Sequence, residues 1–338
     1  MLAYYVVGGV VLAGFIVLIP VGYTIRSYIT YAYVNSRLRA RQNRFIEADQ
    51  FNQYARRSFQ DIIYDIAEKY GLDLTEHLQP EITYSELDNA IRSHHIEDIK
   101  AVQRFAPQEY DDFMNAYLDR FTIRIIKNAL RKQNASLAEQ TRRLPSPKQF
   151  SISFRQNKQP TFQDLEEELR NTRYGDILSD HKEALTNNEY EVFETELNQA
   201  YLEKLYYDAP TNNATQFVRR LIDQVNITAA LNNTDSFAKH GTIPKESLEN
   251  AENTEEIKQV LNNHDYNTDG TTPAQIEQSI REDMQSFAET LKNRQPLSDN
   301  IILSYLIQKD HNMQNLNVLL KLSYHKTNPD DIQAAITV

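Results

Sequence analysis

The most constraining feature of the sequence is a helical spacing of apolar residues that recurs along the chain. From about Gln108 to Gln133, apolar side chains repeat every three or four residues, as on one buried face of a helix, namely Phe113, Tyr117, Leu118, Phe121, Ile125, Ile126, Ala129 and Leu130. The same spacing returns in Phe217, Val218, Leu221, Ile222 and Val225, and again in Ile302, Tyr305, Leu306, Met313, Leu316 and Leu320. Period-two alternation, which is typical of strands, is scarce. The body is therefore predicted to be all-α.

The three apolar helices also resemble one another. Aligned, their apolar positions coincide as Ile126, Ile227 and Leu316, and as Leu130, Leu231 and Leu320, at spacings of 101 and 89 residues. The chain is too long for one typical core, so three related helical lobes of about 100 residues each are plausible. The predicted boundaries are 26–133, 134–235 and 236–338. The alternative is that any amphipathic helix matches another at a few apolar positions.

The first 25 residues form a different kind of sequence. No charged residue occurs from Met1 to Ile25, and a helix of that length spans about 37 Å, more than the roughly 30 Å hydrocarbon core of a bilayer. A cleaved signal peptide is the alternative, but the run lacks a basic segment before it and a small-residue cleavage site after it. Residues 1–25 are predicted to be an uncleaved transmembrane helix.

A cluster of arginines follows this helix without an intervening acid, since the first acid is Glu47. The cluster consists of Arg26, Arg37, Arg39, Arg41 and Arg44. Excess arginine beside a membrane helix marks the cytoplasmic side, which predicts a membrane protein with its N-terminus outside and its body in the cytoplasm. Nucleic acid is not an expected partner, because the chain has a formal net charge of -11 even with this cluster.

The remaining composition argues against most catalytic and metal sites. Cysteine is absent and the eight glycines form no phosphate-binding loop. The segment from Asp265 begins like a calcium loop, but its twelfth position is Ile276, so a helix start with Thr272 as N-cap and Gln275 in a capping box is preferred. Adjacent His94 and His95 diverge on a helix and cannot share a metal. We therefore predict no catalytic residue, metal or cofactor.

Several stretches resemble the C subunit of archaeal-type rotary ATPases, the counterpart of the d subunit of eukaryotic vacuolar ATPases. Its Tyr-x-x-x-Arg-x-Arg helix is matched by Tyr33, Arg37 and Arg39. Its Asp-x-x-Asn-(Ile/Leu)-Lys-x-x-Leu-Arg helix is matched in part by Ile126, Lys127, Leu130 and Arg131, and again by Asp223, Asn226, Ile227 and Leu231. "LRNTRYGDIL" from Leu169, "GTIPKESLENA" from Gly241 and the helix around Leu316 are also similar. The likeness runs from about Tyr31 to Ile336. Thr122, Ile125, Asn312 and Asn317 depart from the family's polar residues.

The resemblance implies a mechanical function. It implies three helical lobes in a pseudo-threefold funnel, and a non-catalytic central-stalk subunit that couples the rotor stalk to the membrane proteolipid ring during ATP synthesis or ion pumping. The implied partners are the ring, the central-stalk subunits and membrane lipid. The five arginines then either orient the chain in the membrane or contact the ring loops. The N-terminal helix, which this family is not expected to carry, is placed by hypothesis in the ring lumen.

Two other classes of function stay open from the residues alone. One is a membrane-anchored helical adaptor or scaffold unrelated to rotary ATPases. The other is a membrane-tethered enzyme, which the missing cysteines, phosphate loop and metal motifs disfavour. Co-purification of rotary ATPase subunits would discriminate these classes.

Overall fold

The computed structural model describes residues 29–70, 84–134, 162–187, 189–266, 268, 270–294 and 298–336, and these contain helices and no strand. Helix α1 covers the described residues 29–42. It is followed by α2 (Ala48–Tyr54), α3 (Phe59–Tyr70), α4 (Tyr84–Gln103), a 3₁₀ turn (Gln108–Tyr110), α5 (Asp111–Asn134), α6 (Phe162–Leu169), α7 (Arg173–Asp180) and α8 (Lys182–Thr186). The second half contains α9 (Glu191–Tyr207), α10 (Asn212–Leu231), α11 (Lys245–Glu249), α12 (Thr254–Asn263), α13 (Pro273–Arg294), α14 (Asn300–Tyr324) and α15 (Pro329–Ala335). The all-α prediction is confirmed for these residues.

The apolar side chains of these helices form one central cluster and three outer clusters. The central cluster joins α1 to the starts of α5, α10 and α14 and to the ends of α4, α9 and α13. One outer cluster is built from the end of α5 with α6, α7 and the start of α9. A second uses the end of α10 with α11, α12 and the start of α13. The third joins the end of α14 and α15 to α2, α3 and the start of α4, so it brings the two ends of the described chain together.

Each long helix that the sequence pattern singled out therefore serves two clusters. Phe113 and Tyr117 of α5 lie in the central cluster, whereas Ile126 and Leu130 lie in an outer one. The burial of these aligned positions is not uniform, because Leu130 and Leu320 are buried while Leu231 is only partly buried against its cluster. Each of these three helices thus joins the central cluster to a different outer cluster.

The starts of α5, α10 and α14 meet at a buried carboxylate, which we name the helix-start junction. Asp299, the N-cap of α14, accepts hydrogen bonds from Tyr110 Oη at 2.8 Å and from Thr211 Oγ1 at 2.5 Å. Thr211 is itself the N-cap of α10, where its hydroxyl accepts from the Ala214 amide at 3.1 Å. Helix N-termini carry partial positive charge. The buried Asp299 carboxylate therefore stabilises the close packing of the three helix N-termini.

A second recurring contact is made by polar side chains buried in the middle of α10 and α14. Asp223 of α10 accepts from the Ile243 amide at 3.0 Å and from Tyr266 Oη at 2.8 Å. Asn312 of α14 accepts from the Ile46 amide at 3.3 Å and from Tyr70 Oη at 2.6 Å, and donates to the Ile46 carbonyl at 2.8 Å. Each side chain thus holds two groups by hydrogen bonds. One is the backbone of the loop just before a short helix, α11 or α2, and the other is a tyrosine about two dozen residues after that loop.

Several predicted helix starts can be compared with the structure. Thr272 and Gln275 exchange capping hydrogen bonds at 3.2 and 3.3 Å, and α13 begins at Pro273, so the capping box is confirmed. Asn328 caps α15 and accepts from the Asp330 amide at 3.1 Å. Thr161, which its spacing from Asp164 also predicts as a helix cap, lies outside the described residues.

The predicted N-terminal span is not among the described residues. Residues 1–25 precede the first described residue, Ile29, as does Arg26. Within the described part of the chain, none of the helices is both long and apolar enough to cross a membrane. The span at 1–25 and the lobe boundaries therefore stay predictions.

Candidate interaction surfaces

Helix α1 places most of the predicted arginines on the surface of the body. Tyr31, Val34 and Leu38 are buried, so this side of α1 packs into the central cluster. Arg37 and Arg39 are exposed on the remaining surface and, two residues apart, point to nearly opposite sides of the helix. The arginines of the cluster therefore do not act as one patch.

One side of α1 and the end of α4 line a groove with a volume of about 410 Å³, which we name the α1 groove. Its walls carry Arg37, Arg41, Arg44 and Arg104 together with the aromatic rings of Tyr33 and Phe105. The two rings meet edge to face with their centroids 6.4 Å apart. The Arg37 guanidinium lies 5.3 Å from the Tyr33 centroid, and its Nε donates to Tyr33 Oη at 3.2 Å. The groove thus combines cationic and aromatic groups.

The charges in the groove are mostly unneutralised. Among the described residues, Arg37, Arg44 and Arg104 have no carboxylate within ion-pair distance, whereas Arg41 contacts Asp98 at 2.5 Å. Arg39 lies outside the groove, where its Nε donates to Asn35 Oδ1 at 3.0 Å. The structure thus brings three of the predicted arginines together and excludes Arg39. Sequence reasoning missed Arg104, which is distant in the chain and follows α4.

A buried ion-pair network lies directly beneath the groove. Asp98 of α4 contacts Arg41 and also the Lys309 ammonium of α14, at 2.5 Å in each case, and Lys309 is 1% exposed. Burial alone would raise the pKa of Asp98, but the His94 imidazole, whose Nε2 lies 3.4 Å from the carboxylate, and the charge of Lys309 outweigh it and hold that pKa well below its usual range. Burial lowers the pKa of Lys309, and Asp98 opposes this effect. The network ties α1, α4 and α14 into one unit.

A second buried network lies one residue further along α14. Arg120 of α5 forms a two-pronged ion pair with Asp310, whose carboxylate also accepts from Tyr117 Oη. His95 Nε2 lies 3.1 Å from the same carboxylate, and burial lowers the pKa of His95 to about 4, although Asp310 opposes the shift. His94 and His95 thus contact different aspartates, as their helical divergence predicts.

A cleft with a volume of about 440 Å³ lies between α10, α13 and α14. Its walls mix apolar side chains such as Leu221 and Met284 with polar ones such as Gln224 and Arg281. Asp310 reaches this cleft as well as the buried network. No sequence pattern predicts this cleft, because its residues come from three helices and form no local motif.

The described residues contain no group of three or more His, Asp or Glu side chains arranged to hold a metal ion. Within the former calcium-loop candidate, Thr271 and Thr272 donate to the Gln275 side chain at 3.0 to 3.2 Å. These groups are thus engaged in starting α13. The surfaces that stand out are concave and charged or mixed, which suits binding to other molecules.

Comparison with known proteins assigns the family. The model for the ATP synthase (C/AC39) subunit family matches residues 34–335, which includes all helices from α2 to α15. The chain belongs to this family. Among its relatives is the C subunit of the A-type ATP synthase of Pyrococcus abyssi, 23% identical over 349 residues, with 93% of this chain and 92% of the relative covered.

Two further relatives bear the same name. The C subunit of the A-type ATP synthase of Pyrococcus horikoshii is 21% identical over 344 residues, covering 93% of this chain and 92% of the relative. That of Thermococcus kodakarensis is 22% identical over 343 residues, covering 90% of each chain. The resemblance stated from the motifs is thus confirmed, and the C/AC39 chain described here is a rotary ATPase subunit.

Proposed function

We propose that this C/AC39 chain is a non-catalytic central-stalk subunit of an A/V-type rotary ATPase that couples the rotor stalk to the membrane proteolipid ring. The family match across 34–335 carries the proposal. The architecture supports it, because a coupling part needs a rigid helical scaffold and binding surfaces. The ion-pair networks that join α1, α4, α5 and α14 supply such rigidity.

The proposed scaffold consists of three lobes, one around each outer cluster. The helix-start junction supports this arrangement, because Tyr110 and Thr211 are 101 residues apart, and Thr211 and Asp299 are 88 apart. These spacings nearly equal those of the aligned apolar positions. The lobe around α2, α3 and α15 draws on both ends of the chain, so the lobes proposed here follow clusters rather than the segments 26–133, 134–235 and 236–338. An experimental structure in which the helices around Ile126, Ile227 and Leu316 share no common rotation would contradict the proposal.

The body is proposed to face the cytoplasm, with the N-terminus outside and residues 1–25 in the ring lumen. Tyr31 Oη, near the start of α1, donates to Glu109 Oε1 at 3.2 Å, and Glu109 directly precedes the helix-start junction residue Tyr110. The chain therefore leaves the described body where the three long helices start, close to their proposed common axis. A rotor-bound helix on that axis turns without meeting the stator.

The absence of cysteine allows a direct test of the lumen position. Single cysteines at Val11 or Phe15 should crosslink to inner helices of the proteolipid ring in the assembled complex. A cysteine at the exposed Asn233, on the body, is the control and should not reach the ring interior. Crosslinks from Val11 or Phe15 to the stator, or to lipid alone, would contradict the lumen position.

The coupling function itself is tested by affinity purification of the full chain from its native membrane. We expect proteolipid, nucleotide-binding and stalk subunits to co-purify. Recovery of the chain without any of them would favour the alternative, a membrane-anchored helical adaptor. A tagged, unrelated membrane protein with a single span serves as the control for carry-over of abundant ATPase.

A further inference from the structure

We infer that the α1 groove binds the phosphate-bearing headgroup of an anionic phospholipid at the cytoplasmic face of the membrane. The inference rests on the proposed function, because it uses the proposed membrane-facing position of α1. It adds a ligand class and a set of binding residues to that function.

The charge of the groove points to an anionic group. Arg37, Arg44 and Arg104 present three guanidinium groups without a carboxylate partner among the described residues. A guanidinium matches phosphate oxygens with two parallel donors. Holding three like charges around one concave surface costs repulsion, which a bound phosphate relieves.

The geometry makes this more than a diffuse basic patch. Arg41 is held by Asp98, and Asp98 by the buried Lys309, so the floor of the groove is fixed. Arg37 is positioned by its contacts with the Tyr33 ring and hydroxyl. A volume of about 410 Å³ falls within the range of small-molecule sites and accommodates a phosphodiester headgroup.

The order of residues along α1 favours a lipid over an acidic protein segment. Ile29, Tyr33, Arg37 and Arg44 lie on one side of the helix and its following turn. Ile29 is 66% exposed and Tyr33 is 50% exposed. After Arg26, which directly follows the predicted span, an exposed apolar residue, an aromatic residue and then arginines follow in order of distance from it. Aromatic and basic residues just beyond a span are typical of a chain leaving a bilayer. An acidic protein partner gives no reason for the exposed Ile29.

The test uses the full chain in a neutral detergent, titrated with dioleoylphosphatidylglycerol or dioleoylphosphatidylcholine while thermal unfolding is followed by circular dichroism. We expect a saturable rise in Tm with the anionic lipid only. Arg37→Gln, Arg44→Gln and Arg104→Gln should each weaken the apparent affinity by about tenfold or more, the effect of losing one direct hydrogen bond between charged groups. Arg37→Lys, which keeps the charge, should weaken the apparent affinity for the anionic lipid less than Arg37→Gln does.

Arg39→Gln is the matched control, since it removes the same charge from the same helix outside the groove, and it should change the affinity by less than about twofold. Equal losses in Arg39→Gln and Arg37→Gln would show a diffuse charge effect and overturn the proposal. Sodium phosphate giving the same rise would assign the groove to a free anion. Polyglutamate binding more tightly than the lipid would assign it to an acidic protein segment.

The failure of this inference is separable from that of the proposed function. Loss of lipid binding in Arg44→Gln with unchanged co-purification of rotary ATPase subunits supports the groove assignment. No response of the wild type to anionic lipid, with the same subunits still co-purifying, overturns the groove while leaving the coupling function intact.

Discussion

Replacing Asp299 with alanine should remove the acceptor that the starts of three long helices share. The Asp299 side chain is buried and accepts from Tyr110, Thr211 and Asn213. Asn213 keeps a second acceptor, Asn300 Oδ1 at 2.8 Å. Thr211 is only partly buried, so water replaces part of its lost bond. The Tyr110 side chain is 0% exposed and loses its nearest acceptor.

The magnitude follows from these contacts. Two of the three lost bonds, those from Tyr110 and Thr211, are shorter than the 3.3 Å bond from Asn213. Each of these two contributes about 1.5 to 3 kcal/mol as a hydrogen bond to a charged acceptor. The favourable interaction of the anion with helix N-termini adds about 0.3 to 1 kcal/mol for each nearby end. We expect Asp299→Ala to lower the free energy of unfolding by about 3 to 6 kcal/mol, the sum for the two short hydrogen bonds, since water at the partly buried Thr211 offsets the helix-end contribution. Asp299→Asn retains one acceptor oxygen and should cost about 1 to 2 kcal/mol.

Urea unfolding of the full chain in neutral detergent, followed by circular dichroism, measures these differences. Tyr110→Phe removes the donor that Asp299→Ala leaves unpaired, so the double variant should cost about 1 kcal/mol less than the sum of the single variants. The control is Asp180→Ala, at the exposed end of α7, which should change stability by less than about 0.5 kcal/mol. If Asp299→Ala were as mild as this control, the junction would not hold the three helix starts together.

Three further predictions concern the buried groups. Burial raises the pKa of Asp223 above its ordinary 3.8. The free energy of unfolding of the wild type should therefore fall, relative to that of Asp223→Asn, as the pH rises from 3.8 through the raised pKa. Urea unfolding at a series of pH values measures this difference. Burial lowers the pKa of His95 to about 4, so its protonation should cost up to about 1.4 kcal/mol per pH unit between pH 6.5 and 4, and His95→Gln should flatten that slope. Leu130→Ala and Leu320→Ala should each lower the free energy of unfolding by about 2 to 5 kcal/mol. Leu231→Ala should lower it less, because Leu231 is only partly buried. Equal losses for the three variants in urea unfolding would contradict this difference in burial.

The helices were predictable because their apolar residues repeat at the helical period over many turns. The segment predicted from Gln108 to Gln133 is observed as a 3₁₀ turn followed by α5, ending at Asn134. The helix start at Pro273 was predictable as well, since capping chemistry is local. The assignment of helices to clusters was not predictable, because one helix such as α5 serves two clusters and the face it presents changes along its length.

The candidate site was only partly predictable for a similar reason. The arginines near α1 are visible in sequence, but which of them converge depends on how α4 packs, since Arg104 directly follows α4 and lies across the groove. The buried partners of Arg41 could not be found either. Asp98 and Lys309 are 211 residues apart, and no local pattern distinguishes a buried lysine from the exposed ones that are far more common.

The contacts of Asn312 show how two different residues make similar contacts in two of the long helices. Sequence comparison marks Asn312 as a departure from an acidic residue, yet it holds a backbone amide and a tyrosine hydroxyl as Asp223 does. Asp223 accepts from the Ile243 amide through Oδ1 and from Tyr266 through Oδ2. The single Asn312 oxygen accepts from both of its donors, because an amide oxygen has two lone pairs. Asn312 also donates to the Ile46 carbonyl, which a carboxylate cannot do. What α10 and α14 share at this point is therefore the placement of hydrogen-bond acceptors rather than a charge, because an amide in α14 holds a backbone amide and a tyrosine hydroxyl as a carboxylate does in α10.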